Sequence, residues 1–287
     1  MNNISLGKYT PYNTFMHRLD PRTKILSMIF LMVTIFFTYG STWTNLIIYV
    51  VIGIINFILM TSAKIRLSQL FKQLKMMWLM MVFLLLINIF TIKEELPIII
   101  PGVGEFISFT IPYINLTIYY SAFINSFYII FRLVLMISLT LILTSTTKPM
   151  DLTYGLEWLM GPLKILHFPV HEVAMTISLA LRFIPTLLDE TDRIMKAQAS
   201  RGVDFQEGKI SEKIRAIVSL IVPLFISAFQ RSDELANAME ARGYDPSKKR
   251  TRYRLLKWKT RDTLSMVFVL ILFGVTLTLS ILGFKII

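Results

Sequence analysis

Five stretches of this chain are too apolar to be solvated by water. They run from Ile25 to Tyr39, from about Trp43 to Ala63, from Met76 to Ile92, between about Leu116 and Leu143, and from Leu264 to Phe284. A bilayer crossing takes roughly 20 mostly apolar residues. Segments in lipid must satisfy their backbone hydrogen bonds internally, so these read as transmembrane helices. The first is opened by "LDPRTK", where Asp20 is placed to cap a helix and Pro21 suits its first position. A composition 54% hydrophobic, with mean hydropathy +0.61, agrees with a membrane protein and not with a soluble domain of this size. No segment has the form of a cleaved signal peptide. There is no cysteine, which excludes disulfides and thiolate metal sites.

The net charge of +12 raises the question of nucleic acid. Its distribution answers it. Uncharged "GSTWTN" joins the first two spans, and basic "KIRLSQLFKQLK" joins the second and third. The third and fourth are joined by "KEELPIIIPGVGEFISFTIPYIN", with three acids and one lysine, expected outside, with a short hairpin turning at Pro101-Gly102. With the N-terminus inside, all 30 Lys and Arg residues except Lys93, Lys285 and Arg132 fall on the cytoplasmic side. The positive-inside rule is then satisfied and the C-terminus ends outside the cell. A membrane therefore explains the charge, and nucleic acid is not needed as a partner.

Residues 148–261 follow a different pattern. Leu152, Leu156, Leu159, Leu163 and Leu166 fall on one helical face. Val173, Ile177, Leu181, Ile184, Leu188 and Met195 repeat the pattern, as do Ile214, Ile217, Ile221, Leu224 and Ala228. The second and third of these helices are long, and only their first halves are apolar, interrupted by Pro185 and Pro223 as possible kinks. They are expected to lie at the inner interface with polar ends in the cytosol. The expected fold is an all-α integral membrane protein. Residues 1–147 form a membrane domain of four transmembrane helices. Residues 148–250 form a cytoplasmic or interfacial domain of three amphipathic helices, at about 150–166, 171–201 and 211–242. Residues 251–287 supply a basic linker and the fifth, last span.

Two of those amphipathic helices end in the same sparse phrase. "AQASRGVDF" and "AMEARGYDP" align at a shift of 41 positions: Asp192 with Asp233, Ala197 with Ala238, Ser200-Arg201-Gly202 with Ala241-Arg242-Gly243, and Asp204 with Asp245. A glycine just past a helix end and a cation in its last turn make an ordinary C-cap. A cap alone does not call for the shared Asp nine residues earlier or the small residue four earlier. Small residues give each end a thin side for close approach, and an arginine presented there suits a partner's groove. Two similar ends imply two similar grooves, such as those of a pseudo-symmetric dimer. Because one task belongs in one compartment, both ends are placed in the cytosol.

Other candidates carry less. The chain has no G-x-x-x-x-G-K-[ST] phosphate loop. His167 and His171 are separated by Pro169, and "HEVAM" lacks a second zincin histidine, so no metal site is expected. The spans contain neither Asp nor Glu, which leaves a membrane hydrolase without its chemistry. Arg132 is an intramembrane charge, read as a structural contact between helices before a substrate contact. The run "KKRTRYRLLKWKTR", residues 248–261, reads as an anchor to anionic headgroups with Trp258 in the aromatic belt.

"HRLDPRTKIL", "TSTTKPMDL", "FPVHEVAMTISLALRFIPTLLDETDRIMKAQASRG" and "MEARGYDP" together resemble the EcfT family, the transmembrane scaffold of energy-coupling factor (ECF) ABC importers, over essentially the whole chain. The resemblance implies a cell-membrane, multi-pass, non-catalytic subunit. It works with two homologous ABC ATPases, which hold the ATP and Mg, and with an exchangeable substrate-binding membrane protein, the S component. This chain itself would bind no cofactor. The family's Ala-Arg-Gly docking motifs correspond to Ser200-Arg201-Gly202 and Ala241-Arg242-Gly243, the first departing by Ser for Ala. The rival readings are a conventional ABC permease with its own substrate path and a membrane-bound hydrolase; the former lacks polar lining beyond Arg132 and scattered Ser, Thr and Asn.

Overall fold

The computed structural model describes residues 10–37, 42–91, 109–111, 116–118, 120–205, 209–245 and 256–281. Their regular elements are helices apart from one small hairpin, and the chain divides into two compact units. One is Met1–Leu152 with Lys257–Ile287; the other is Thr153–Leu256.

In the first unit α1 spans Pro21–Phe36, α2 Thr42–Ser62, α3 Leu67–Thr91, α4 Tyr120–Thr146 and α8 Thr260–Ile281. The start of α1 follows from "LDP" as expected. Asp20 is extended (φ −63°, ψ 134°), its carboxylate accepts the Arg22 amide at 2.9 Å, and Pro21 occupies the first helical position. Helix α4 is the hub: α1, α2 and α3 pack on it, and α1 also packs on α8. Leu31, Ile35, Tyr49, Ile52, Leu135, Leu139 and Val269 form one buried cluster. At Gly53 a Cβ would meet the Phe131 ring at 3.3 Å, so the missing side chain allows α2 and α4 to approach. Ser138 donates to Asn56 Oδ1 (2.7 Å) and Asn56 to the Leu135 carbonyl (3.2 Å), joining the same two helices by polar contacts suited to a medium without water.

The N-termini of α1 and α8 are clamped by one acid. Asp262, 2% exposed, accepts the Asp20 amide on Oδ1 (2.7 Å) and the Lys259 amide on Oδ2 (2.8 Å). A carboxylate thus sits where two positive helix ends meet. Nearby, the Lys24 ammonium donates to the Thr146 carbonyl at the end of α4 (2.9 Å). Large apolar side chains such as Phe71, Trp78, Phe83 and Phe90 of α3 face outward, and the described side chains of α3 include no buried one. That inversion of the soluble pattern is what lipid permits.

Several expectations need correction. The basic linker "KIRLSQLFKQLK" is not a loop: from Leu67 onward it forms the first turns of α3, continuous with the span expected from Met76. The fourth span does not begin at Leu116. Leu116–Ile118 is β2, paired antiparallel with β1 (Phe109–Ile111) in the register Phe109↔Ile118, and the helix starts at Tyr120. The hairpin turn expected at Pro101-Gly102 lies outside the described residues, as do Tyr39, Ile92 and Phe284 at the expected ends of three spans. By length and composition alone, α3, residues 122–146 of α4, α6 (Val170–Ser200) and α8 are able to cross a membrane, with Leu46–Ser62 a shorter apolar helix. Helix α6 enters that set although its pattern is amphipathic.

In the second unit the helix expected at about 150–166 is two pieces. Helix α5, Pro149–Leu159, begins in the first unit, and a 3-10 segment, Gly161–Leu166, follows it. Pro162 has no amide to continue the α ladder, and Gly161 weakens it further. The stripe from Leu152 to Leu166 is therefore not one α-helical face. Helices α6 and α7 (Ile210–Ala241) run unbroken through Pro185 and Pro223.

Candidate functional site

The two repeated phrases end the two longest helices, and they fold alike. At the end of α6, Arg201 is the C-cap (φ −89°, ψ 7°) and Gly202 is left-handed (φ +86°). The Gly202 amide bonds the Ala199 carbonyl (3.0 Å) and the Val203 amide the Gln198 carbonyl (3.1 Å). At the end of α7, Arg242 has φ −90° and ψ 9°, and Gly243 has φ +70°. There the Gly243 amide bonds Glu240 (2.8 Å) and the Tyr244 amide bonds Met239 (3.0 Å). Both are complete Schellman motifs, and the positive φ is the reason each needs glycine.

The caps account for the glycines and leave the arginines displayed. Ser200, Arg201 and Gly202 are exposed, and so are Ala241, Arg242 and Gly243. Among the described residues neither guanidinium has a hydrogen-bond or ion-pair partner. Ala197, Ala199 and Ala238 are exposed as well, which gives each arginine a shallow, small-residue flank. Asp192 is half-buried and Asp233 exposed; past the helix ends, Asp204 is exposed and Asp245 half-buried.

The structure does not bring the two arginines together. Glu190 of α6 meets Arg231 of α7 (Oε2–Nη2 2.6 Å), and the Tyr244 hydroxyl at the far end of α7 reaches Met175 Sδ near the start of α6 (3.4 Å). Moving toward the end of α7 thus means moving toward the start of α6. The helices are antiparallel, and the two Arg-Gly ends project from opposite ends of the pair. Sequence reasoning missed Glu190, Arg231 and Tyr244. Glu190 and Arg231 stand at the same 41-residue shift as the arginines, but an acid opposite a base is invisible to a search for identity.

Arg132 has a structural setting. Its Nη2 donates to the Tyr49 hydroxyl (2.6 Å), which in turn lies 3.3 Å from the Ile35 carbonyl and 3.4 Å from that of Phe37, at the end of α1. The guanidinium also lies over the Phe36 and Tyr49 rings at 5.6 and 5.8 Å. A cation is thereby held beside the negative end of α1. Of the basic run 248–261, residues 248–255 lie outside the described residues. Trp258 is exposed and donates to Thr263 Oγ1 (2.8 Å). Among the described residues no group of three or more His, Asp or Glu side chains is placed to hold a metal.

Comparison with known proteins adds the family. The CbiQ family, described as cobalt transport protein, matches residues 12–253. An energy-coupling factor transporter transmembrane protein EcfT from Bacillus subtilis is 42% identical over 272 residues, covering 95% of this chain and 96% of the relative. Proteins of the same name from Staphylococcus aureus and Ruminiclostridium cellulolyticum are 41% and 42% identical, each covered to 94% and 92% respectively, as is this chain. Similarity at that level along nearly the whole length makes this chain a member of the EcfT (CbiQ) family, the non-catalytic transmembrane coupling components of energy-coupling factor transporters.

Proposed function

We propose that this chain couples two homologous ABC ATPases to an exchangeable S component, and that the ATPases dock on Ser200-Arg201-Gly202 and Ala241-Arg242-Gly243. The observation that carries this is the pair of caps with matching backbone geometry, each presenting an exposed arginine that has no partner among the described residues. An arginine entering a groove loses water and gains fixed acceptors, and such anchors are worth about 2 kcal/mol or more each. ATP and Mg belong to the ATPases; their closure draws on both helix ends, and α6 and α7 pass the movement to the S component, which carries the vitamin or other micronutrient. Residues 148–250 act as the coupling domain in this reading, with Asp192, Asp204, Asp233 and Asp245 supporting the helix ends.

The test is the Arg201→Ala, Arg242→Ala double variant in the assembled transporter. ATPase co-purification and ATP-driven uptake are both expected to be lost, and normal values for both would overturn the proposal. The orientation follows the charge: N-terminus cytoplasmic, C-terminus extracellular, α6 and α7 at the inner interface. Because the chain has no cysteine, Ser200→Cys and Ala241→Cys can be labelled singly. Both are expected to react only from the cytoplasmic side; labelling from opposite sides would place α6 across the membrane instead.

A further inference from the structure

The 41-residue shift that relates Arg201 to Arg242 also relates Glu190 to Arg231, and these two side chains touch. In an antiparallel pair of equivalent helices, positions that meet their own equivalent lie on the local two-fold axis. The contact of Tyr244 with Met175 runs in the same antiparallel sense, within two positions of that register. We propose that Glu190 and Arg231 form the pin of a pseudo-symmetric lever pair, fixing the point about which the two Arg-Gly ends move together. Each arginine stands eleven residues beyond the pin on its own helix, roughly 16 Å at 1.5 Å per residue. Equal arms on opposite sides of one axis make equal and opposite displacements when the pair turns.

The chemistry of the pin suits that role. Identical charged residues on a two-fold axis would face each other and repel. Acid on one helix and base on the other remove the conflict and fix the register. Both carboxylate oxygens are engaged: Oε2 by Arg231 and Oε1 by the Ser227 hydroxyl at 2.7 Å. The side chains are 37% and 24% exposed for Arg231 and Glu190. A pair so exposed adds little to folding stability. Its expected effect is on geometry: which residues of α6 stay opposite which residues of α7 while the ends are under load.

This inference rests on the docking proposal for its consequence but not for its test. In the assembled transporter, Glu190→Ala or Arg231→Ala is expected to keep ATPase association and ATP hydrolysis while uptake per ATP falls about tenfold, the size of an ordinary coupling free energy. The swapped pair, Glu190→Arg with Arg231→Glu, is expected to recover most of the uptake. The direct readout is the distance between spin labels at Lys196→Cys and Asn237→Cys, equivalent exposed positions on the two arms. The distance distribution is expected to be narrow in the parent, broad in Arg231→Ala, and narrow again in the swap. A distribution that stays narrow in Arg231→Ala overturns the pin, whatever happens to uptake. If it broadens while the Arg201/Arg242 double variant still binds its ATPases, the pin stands and only the docking proposal fails.

Discussion

Four cations divide between the two units with opposite fates. In the first unit, Lys24 donates to the Thr146 carbonyl and Arg132 donates through Nη2 to the Tyr49 hydroxyl, so each finds an acceptor within the chain, although Arg132 Nε is buried without one among the described residues. In the second, Arg201 and Arg242 sit on exposed caps whose backbone is already satisfied by other carbonyls. A membrane unit has no water to complete a charge, so it must complete it internally. Under the docking proposal, a helix end that leaves its arginine open to water leaves it for a partner. Charges of the first kind are expected to matter for stability, and those of the second for assembly.

The largest effect that would break this division is in the second unit. If the Arg201→Ala, Arg242→Ala variant lowered the melting temperature of the isolated chain and left ATPase association intact, the arginines would be structural after all. The expected result is the reverse, with thermal unfolding unchanged and association lost. The corresponding charge in the first unit is Asp262. Its removal in Asp262→Ala leaves two amides at the α1 and α8 N-termini without their acceptor, each costing about 1–3 kcal/mol. It also leaves two positive helix ends side by side with no counter-charge. A clear fall in the thermal midpoint of the solubilised chain is expected, with Asp262→Asn between variant and parent. An unchanged midpoint would mean that the clamp is dispensable and the first unit is not held from within.

The apolar runs show why most of the fold was legible and some of it was not. Apolar content located the five helices of the first unit, α1 to α4 and α8. It could not locate the ends, since helical geometry continues past the bilayer wherever the sequence allows. Leu67–Lys75 is basic and amphipathic, reads as a loop by charge, and is the start of α3. Leu116–Ile118 is apolar, reads as the start of a span, and is a strand. The 3-10 segment after α5 was signalled by Gly161-Pro162 and overridden by a leucine periodicity that continues through it. At the candidate site the repeated glycines announced their caps, because a positive φ restricts residue choice so tightly. The distant partners of Arg132, Asp262 and Glu190 were hidden: Tyr49, Asp20 and Arg231 lie 83, 242 and 41 positions away in sequence, and no local pattern specifies them.

The smallest expected effect separates the cap from the charge within one motif. Ideal Cβ atoms at Gly202 and Gly243 would meet nothing within 4 Å, so Gly202→Ala and Gly243→Ala introduce no clash. Their cost is the left-handed backbone alone, about 1 kcal/mol at each position. Asparagine tolerates that conformation better, so Gly→Asn at either site is expected to cost less than Gly→Ala. If the arginine carries docking and the glycine only ends the helix, both alanine variants lower thermal stability slightly and retain ATPase association. Loss of association in Gly202→Ala or Gly243→Ala with little change in stability would show that the groove reads the bare turn itself. Displayed backbone would then join displayed charge in the second unit, and the contrast with the internally completed first unit would widen.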